Sequence, residues 1–151
     1  MSLSDGTGEK AHVCKDCIAE GIRTNRPAPY AGPRCKTHHL ARRRLLREKA
    51  WARHLWSTYH ITPEQYDAIY KAQGGRCYGC RRATGTGRKK LSVDHDHSCC
   101  PGPISCGKCV RGLLCTPCNK GVLGHLRDEV AAFERFIEYL KNPPARGIIN
   151  D

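Results

Sequence analysis

Large apolar side chains are scarce in this sequence. Phe and Trp together supply four of the 151 residues, and the 39% counted as hydrophobic include eleven cysteines. A chain of this length makes one compact domain or two small modules with a thin apolar core, so we expect cross-links or bound metal to supplement that core. The same scarcity disfavours a small-molecule enzyme built around a large buried pocket.

Long apolar runs are also absent. No stretch of about 18 apolar residues occurs, which excludes a membrane-spanning helix. The segment from Met1 to Lys10 is polar and Gly-rich and lacks the apolar part of a secretory signal. Disulfide frameworks are typical of secreted chains, and no secretory signal is visible here. Many of the cysteines also come in C-x-x-C pairs, so the sequence favours zinc binding over a disulfide framework.

Acidic residues are few relative to basic ones. Asp and Glu number 14 against 26 Lys and Arg, which gives a net charge of +12 and a pI near 9.4. A basic surface on a small metal-stabilised fold indicates a polyanionic partner, most simply nucleic acid. Basic residues are concentrated in the predicted helix that connects two parts of the chain. They either contact phosphate groups or form an ordinary solvated helix face. These candidate contacts are Arg42, Arg43, Arg44, Arg47, Lys49 and Arg53.

Two C-x-x-C pairs predict one structural zinc site. Cys77 and Cys80 form the first pair, and Cys115 and Cys118 form the second, with a predicted hairpin between them. Each pair places two thiolates on one side of a tight turn, so four sulfurs can surround a tetrahedral Zn²⁺ at about 2.3 Å. Four filled positions leave no room for substrate, which makes this site structural. A redox role needs a strand–helix alternation that the sequence lacks.

The remaining seven cysteines predict a second zinc site and suggest a third. A C-x-x-C…C-x-x-H pattern offers Cys14, Cys17, Cys35 and His38, with His39 as the rival fourth ligand. Another four cysteines, Cys99, Cys100, Cys106 and Cys109, lie in the tip of the predicted hairpin. Adjacent ligands are sterically awkward, so a disulfide or free thiols are the alternatives to a third zinc there.

The order of patterned segments predicts a small, zinc-stabilised α+β fold. Thr62-Pro63-Glu64-Gln65 is a helix start with a capping box, and Gly74-Gly75 ends that helix. Leu91-Ser92-Val93 and Val110 to Cys115 read as the strands of a hairpin, and a helix should follow from Pro117 to about Leu126. Asp128 is then the expected N-cap of a last amphipathic helix, with Val130, Phe133, Ile137 and Leu140 on one face and Pro143-Pro144 at its end.

The same patterns divide the chain into six segments. We expect a disordered start (1–11), a Cys/His zinc module (12–39), a basic connecting helix (40–60), a core with the hairpin (61–127), a C-terminal amphipathic helix (128–142) and a tail (143–151).

Asp94-His95-Asp96-His97 carries the most chemistry in the sequence. Along a strand its carboxylates and imidazoles point to opposite faces, and at a strand end one carboxylate can hold a metal while an adjacent imidazole faces a substrate. Asn119 follows directly after Cys118, in the first turn of the predicted helix, so the zinc site would bring it opposite Asp94. One Asp oxygen and one Asn oxygen are hard ligands that suit Mg²⁺, which binds few protein groups and keeps several waters. His125 lies about 240° around that helix from Asn119 and is a poor candidate.

These motifs together resemble the phage recombination endonuclease VII family of HNH, or ββα-metal, nucleases. The resemblance runs from Ile61-Thr62-Pro63-Glu64-Gln65-Tyr66 through Gln73-Gly74-Gly75-Arg76-Cys77, Val93-Asp94-His95-Asp96-His97 and Val110-Arg111-Gly112-Leu113-Leu114-Cys115 to Cys118-Asn119. It implies an HNH nuclease core over residues 61–127, with structural zinc on the Cys77, Cys80, Cys115 and Cys118 set. It also implies catalytic Mg²⁺ (or Mn²⁺) on Asp94 and Asn119, His95 as general base and His97 as a supporting residue. The hairpin tip, longer and richer in Cys than the family's linker, departs from the pattern.

The function implied by this resemblance is a Mg²⁺-dependent DNA endonuclease in the host-cell cytoplasm, with 5′-phosphate and 3′-hydroxyl products. The substrate can be branched DNA such as a Holliday junction, which the enzyme would resolve, or duplex DNA, which it would nick. A homodimer is possible under the resemblance, and no membrane partner is expected. Contacts to the phosphate backbone with little sequence specificity are predicted, with Arg88, Lys89, Lys90 and Arg111 as further cations. The alternatives are a non-catalytic zinc-finger DNA-binding module and, more remotely, a nuclease that acts on RNA.

Overall fold

The chain divides into two units, residues 1–53 and 54–151. The computed structural model describes residues 13–24, 26–87 and 89–149. The predicted disordered start and the candidate DNA contact Arg88 therefore lie outside the described residues. Within the described part, no helix is long and apolar enough to cross a bilayer.

The first unit is organised around its own cysteines. Its helices are α1 (Lys15–Ala19) and α2 (Lys36–His54), the latter ending at the first residue of the second unit. The buried cluster consists of Cys14, Cys17, Cys35 and Ala28. Among the described residues, one small aliphatic side chain accompanies three buried cysteines, so we expect this segment to depend on ligation of its cysteines.

The basic helix begins earlier than the composition suggests. It starts at Lys36 rather than Leu40, and its α-helical part ends at His54 before a π-helical turn at Leu55–Tyr59. No residue of α2 is buried, and Leu40, Leu45 and Leu46 are each about half exposed.

The second unit is α+β, as predicted. It contains the π-helical turn Leu55–Tyr59, α3 (Pro63–Ala72), β1 (Ser92–His95), β2 (Val110–Leu114), a π-helix (Pro117–Leu123), α4 (Val130–Lys141) and α5 (Arg146–Ile149). β1 and β2 form the predicted antiparallel hairpin. The core of this unit includes Leu55, Tyr66, Val93 and Leu113.

Helix α3 has the predicted capping box. Thr62 accepts from the backbone N–H of Gln65, and the Gln65 side chain accepts from the backbone N–H of Thr62 at 2.8 Å. Buried Tyr66 donates its hydroxyl to Leu91 O at 3.0 Å, which ties the helix to the chain entering β1. The helix ends before Gly74, whose φ of +71° suits a residue without Cβ.

The hairpin contains a one-residue irregularity beside the predicted site. Asp94 pairs with Gly112, but the next residue, His95, pairs with Val110. Arg111 is therefore the extra residue on β2. A bulge of this kind bends the strand and redirects a side chain, and such bulges are common beside active sites.

The structure corrects the predicted end of the helix after β2 and the predicted cap of the last helix. The helix after β2 is π-type and ends at Leu123 rather than near Leu126, so His125 lies in the turn beyond it. Asp128 does not cap α4: the N-cap is Glu129, which makes no side-chain cap, while Asp128 has a φ of +58° and its carboxylate binds Arg111. The tertiary ion pair has replaced the local cap.

The apolar stripe of α4 is largely exposed. Val130, Ile137 and Leu140 are 69%, 51% and 75% exposed, and Ala132 is the buried residue of the helix. The helix ends at Lys141, before the two prolines, as predicted.

Candidate active site and metal clusters

Asp94 is a buried carboxylate held by an arginine. It is 6% exposed, near the end of β1. Arg111 donates to both of its oxygens, from Nε to Oδ2 at 2.8 Å and from Nη2 to Oδ1 at 3.2 Å. This bidentate pairing, aided by a further contact with Asp128, raises the pKa of Arg111 above its usual range. The charge of Asp94 is thus stabilised in a place where a lone carboxylate would be costly.

Arg111 is itself shared between two carboxylates. Its Nη2 also donates to Asp128 Oδ2 at 2.8 Å. At the strand bulge Arg111 has no paired residue in the register with β1, and its side chain reaches both acids. The sequence predicts Arg111 as a contact to the DNA backbone, and the structure shows its guanidinium bound to the predicted metal ligand Asp94 and to Asp128.

Asn119 lies in the helix that follows β2, directly after Cys118. It is the third residue of the π-helix, and the backbone N–H of Gly124 donates to its carbonyl at 3.0 Å, as in π-helical spacing. π-Helical turns are often found at functional sites. Asp94, Asn119 and His97 line one cavity of about 290 Å³, together with Arg127 and Asp128. The predicted metal ligands therefore face a common space.

His95 is buried beside this cavity. It is 5% exposed and is not one of the described residues that line the cavity. Its Nε2 lies 3.2 Å from both Cys100 O and Gly102 O. Because carbonyl oxygens only accept, Nε2 carries the proton, and in the neutral imidazole Nδ1 keeps a lone pair. The His97 ring lies 4.5 Å away, and the Tyr59 ring lies 6.2 Å away at an edge-to-face angle.

Asp96 has a local role instead of facing the cavity. β1 ends at His95, and Asp96 Oδ1 accepts from the Ser98 backbone N–H at 2.8 Å and from its hydroxyl at 2.7 Å. These hydrogen bonds lower the pKa of Asp96 below its usual range. These bonds form the first turn of the hairpin tip. The alternation of side chains between the two faces of a strand therefore does not extend to Asp96.

The Cys77, Cys80, Cys115 and Cys118 cluster has the geometry of a metal site. Their sulfurs all lie within 4.8 Å of one another, and Cys80 Sγ and Cys115 Sγ are 3.8 Å apart. Backbone N–H groups of Ala83 and Arg82 lower the pKa of Cys80 to about 6, which favours the thiolate that binds metal. The cluster brings the turn that follows α3 next to the end of β2 and the start of the π-helix, so a metal bound there would position Asn119.

The first unit contains the second predicted cluster, and the structure favours His38 over His39. His38 Nδ1 lies 3.3 Å from each of the sulfurs of Cys14, Cys17 and Cys35. Its Nε2 contacts Glu20 Oε2 at 3.0 Å, the carboxylate contact typical of metal-binding histidines. His39 instead stacks on Tyr30 at 4.2 Å.

The hairpin tip brings its four cysteines together as well. The sulfurs of Cys99, Cys100, Cys106 and Cys109 lie within 4.8 Å of one another. The hydroxyl of Ser105 lowers the pKa of Cys109 to about 6. All three clusters can therefore hold zinc.

The predicted cationic contacts differ in their surroundings. All of those on α2 are exposed, and Arg44 pairs with Glu48 at 2.9 Å. In the second unit Lys89 is exposed, while Lys90 Nζ lies 5.4 Å above the Tyr66 ring. These side chains are available to phosphate groups, but their charge alone is not a binding site.

A sequence profile of recombination endonuclease VII matches residues 52–142, more than half of the chain. The chain belongs to the recombination endonuclease VII family. It is also similar to the Gene 59 proteins of Mycobacterium phages D29 and L5, with 48% and 49% identity over 142 residues, which cover 94% of this chain and 81% of each relative. No solved structure matches it. Membership of this family supports a DNA endonuclease.

Sequence reasoning missed three side chains that shape the site. Asp128 was assigned to a helix cap, although it completes the ion pair around Arg111. Gln73 belongs to one of the motifs of the family resemblance, but sequence reasoning assigned its side chain no role, and the structure bonds it to the backbone of Leu113. Tyr59 has no sequence signal that links it to the site. Tyr59 packs toward His95, and burial together with the charge of Asp94 raises the pKa of the Tyr59 hydroxyl.

Proposed function

We propose that this chain is a Mg²⁺-dependent DNA endonuclease with an HNH-type mechanism. The observation that carries this proposal is the convergence of Asp94, Asn119 and His97 on one cavity, beside an imidazole fixed by two backbone carbonyls. Pure DNA binding requires none of these groups, so they favour catalysis over a non-catalytic zinc-finger module.

The donor set fits a hard divalent ion. Arg111 occupies one position on each oxygen of Asp94, and a carboxylate offers about four lone-pair positions, so coordination by Asp94 and its ion pair are compatible. The Asn119 carboxamide has no hydrogen-bond partner among the described residues, which leaves its oxygen available. Mg²⁺ or Mn²⁺ held there would polarise the scissile phosphate and stabilise the departing 3′ oxygen.

His95 is the general base in this proposal. The two carbonyl acceptors keep its proton on Nε2, so Nδ1 is free to remove a proton from the attacking water. His97 is exposed and adjacent, and it supports the scissile phosphate. Arg111 adds a fixed positive charge near the developing negative charge. The products would carry 5′-phosphate and 3′-hydroxyl ends.

A histidine series tests the assignment. His95→Ala should reduce cleavage of supercoiled plasmid by about 10²–10⁴-fold, the usual contribution of a general base. His125→Ala is the matched control, because His125 is exposed and lies beyond the π-helix. Cleavage should also require added Mg²⁺, with zinc content measured in parallel so that metal withdrawal from the cysteine clusters is recognised.

Three outcomes would contradict the proposal. Equal cleavage by wild type and His95→Ala would remove the assigned base, and a larger loss in His97→Ala would transfer that role to its neighbour. DNA binding without cleavage of any substrate would favour the zinc-finger alternative.

The substrate is proposed to be DNA held mainly through its backbone, with branched DNA as the preferred form. Assays of a four-way junction and a linear duplex of the same sequence, at equal enzyme concentration, decide this point. Faster cleavage of the junction supports resolution of branches, and equal rates indicate general nicking.

A second copy of this chain is the proposed partner of α4. The stripe of Val130, Ile137 and Leu140 is more than half exposed, and a symmetric pair would cover it on both copies. Sedimentation should then give twice the 16.9 kDa chain mass. Leu140→Lys should return the protein to the monomer, and a monomeric wild type would refute the pairing.

A further inference from the structure

The hairpin tip between Asp96 and Cys109 has little to hold its shape apart from its cysteines. Ile104 is more than half exposed, and a Cβ added to Gly102 would meet no heavy atom within 4 Å. Backbone hydrogen bonds fix the two ends, from Asp96 N to Cys109 O at 2.9 Å and from Cys100 N to Asp96 O at 3.0 Å. Apolar burial therefore cannot order the segment between these ends.

One further anchor lies on the far side of the tip. The backbone N–H of Ser105 donates to Thr58 O at 2.8 Å, and Ser105 O accepts from His60 Nδ1 at 2.6 Å. Ser105 is almost fully buried. This anchor lies on the stretch that leads to Cys106, and it leaves the stretch around Gly102 to be fixed by other means.

The four sulfurs are spaced for a tetrahedral metal ion. Cys99 Sγ lies 3.9 Å from Cys106 Sγ and 3.9 Å from Cys100 Sγ. Zinc–sulfur bonds of about 2.3 Å in a tetrahedron place neighbouring sulfurs about 3.8 Å apart. A disulfide would require about 2.05 Å between two of these atoms. The spacing thus matches metal ligation, in spite of the adjacent cysteines.

The tip also supplies both hydrogen-bond acceptors of His95. Nε2 lies 3.2 Å from Cys100 O, which belongs to one of the four cysteines, and 3.2 Å from Gly102 O, two residues further on. The geometry points to a third zinc site, on Cys99, Cys100, Cys106 and Cys109, that orients His95 through these two carbonyls. Zinc there would fix the segment, the carbonyls keep the proton on Nε2, and Nδ1 stays available to accept a proton. This inference rests on the proposed role of His95 as general base.

These cysteines are positioning residues, because they act on the reaction only through His95. Contacts that orient a catalytic or metal-binding histidine commonly contribute about 10–100-fold. We therefore expect Cys106→Ser to lower kcat by about 10–100-fold while the Kd for DNA stays the same, since no phosphate contact is removed. Cys106→His keeps a zinc ligand at that position and should restore most of the loss.

Zinc counting and NMR of His95 test the site apart from cleavage. Elemental analysis should give three zinc ions per wild-type chain and two for Cys106→Ser. The His95 Nε2–H resonance in ¹H–¹⁵N spectra should be protected from exchange in wild type and lost in Cys106→Ser, with Cys99→Ser as an independent second variant. Cys35→Ser, which removes a zinc ion from the first unit, should leave that resonance in place.

Each result has a defined reading. Two zinc ions in wild type, or an unchanged His95 resonance after loss of the third ion, overturns the inference. The wild-type protein could bind three zinc ions and show a His95 resonance that depends on Cys106, yet cleave no DNA. This result would refute the proposed function and support the orientation of His95 by the third zinc site. Loss of kcat together with DNA binding would indicate a general folding defect and overturn the specific role.

Discussion

Gln73 offers a sharp test of how helix packing supports the hairpin. Its Nε2 donates to Leu113 O at 2.9 Å and Arg76 O at 3.0 Å, and its Oε1 accepts from Leu113 N at 2.7 Å. The residue is 8% exposed, so water cannot replace these bonds. Gly112, the partner of Asp94, lies so close that an added Cβ would be 2.8 Å from Oε1. One carboxamide therefore braces the strand opposite the predicted metal ligand.

The expected cost follows from the groups that Gln73→Met leaves behind. Leu113 O keeps a bond from Tyr78 N at 3.2 Å, whereas the Leu113 N–H loses its partner. A buried donor without a partner costs about 1–3 kcal/mol, and each of the lost bonds to the two carbonyls adds about 0.5–1.5 kcal/mol at most. We expect the free energy of unfolding to fall by about 2–6 kcal/mol, the sum of these three contributions.

Urea unfolding at saturating zinc measures this loss as a lower midpoint with an unchanged slope. Gln65→Met in the same helix is the matched control, because its side chain is exposed and makes one capping bond at 2.8 Å. That variant should lose less than about 1 kcal/mol. Equal losses in the two variants would refute the argument that the buried carboxamide fixes β2.

Three further predictions concern charge and metal. Arg111→Met leaves the buried Asp94 carboxylate without its hydrogen-bond donor and should lower the free energy of unfolding by about 1–3 kcal/mol, because Arg111 itself is partly exposed. Asp94→Asn in the same chain should partly cancel this loss, and purely additive losses would contradict the pairing. Cys80→Ser should remove one zinc ion and disorder the hairpin amides in NMR spectra, whereas Cys17→Ser should remove one ion and leave those amides unchanged. Raising salt from 50 to 200 mM should weaken DNA binding by about 10³–10⁵-fold if six to ten phosphates are contacted, and a flat response in a filter-binding assay would contradict backbone-dominated binding.

Local signals in the sequence predicted the parts of the fold that local chemistry determines. The Thr62–Gln65 box and the glycines after Gln73 specify α3 by their own backbone contacts. Cysteine spacing predicted the ligand sets because two thiolates in a tight turn need little else. The hairpin followed because its two strands lie between such pairs.

Long-range contacts decided what the sequence could not indicate. Asp128 has a good N-cap side chain, but Arg111 offers it a charged partner across the fold, so the cap moves to Glu129. The bulge at Arg111 depends on the register of two strands, which no local pattern encodes. The roles of Asp94, His95 and Asn119 were proposed from spacing and resemblance, and they stay predictions.

Because the buried cluster of the first unit consists mainly of cysteines, we expect the folding of this unit to depend on the concentration of free zinc. With Cys14, Cys17 and Cys35 as most of its buried cluster, the unbound segment has almost nothing apolar to collapse around. Its stability should therefore rise by RT ln(1 + [Zn²⁺]/Kd), as for any ligand that binds only the folded form. Because α2 begins directly after Cys35 and carries His38, the start of this cationic helix would form in step with zinc occupancy. Limited proteolysis along a zinc titration should show cleavage around Lys36 disappearing over the same range in which the metal binds.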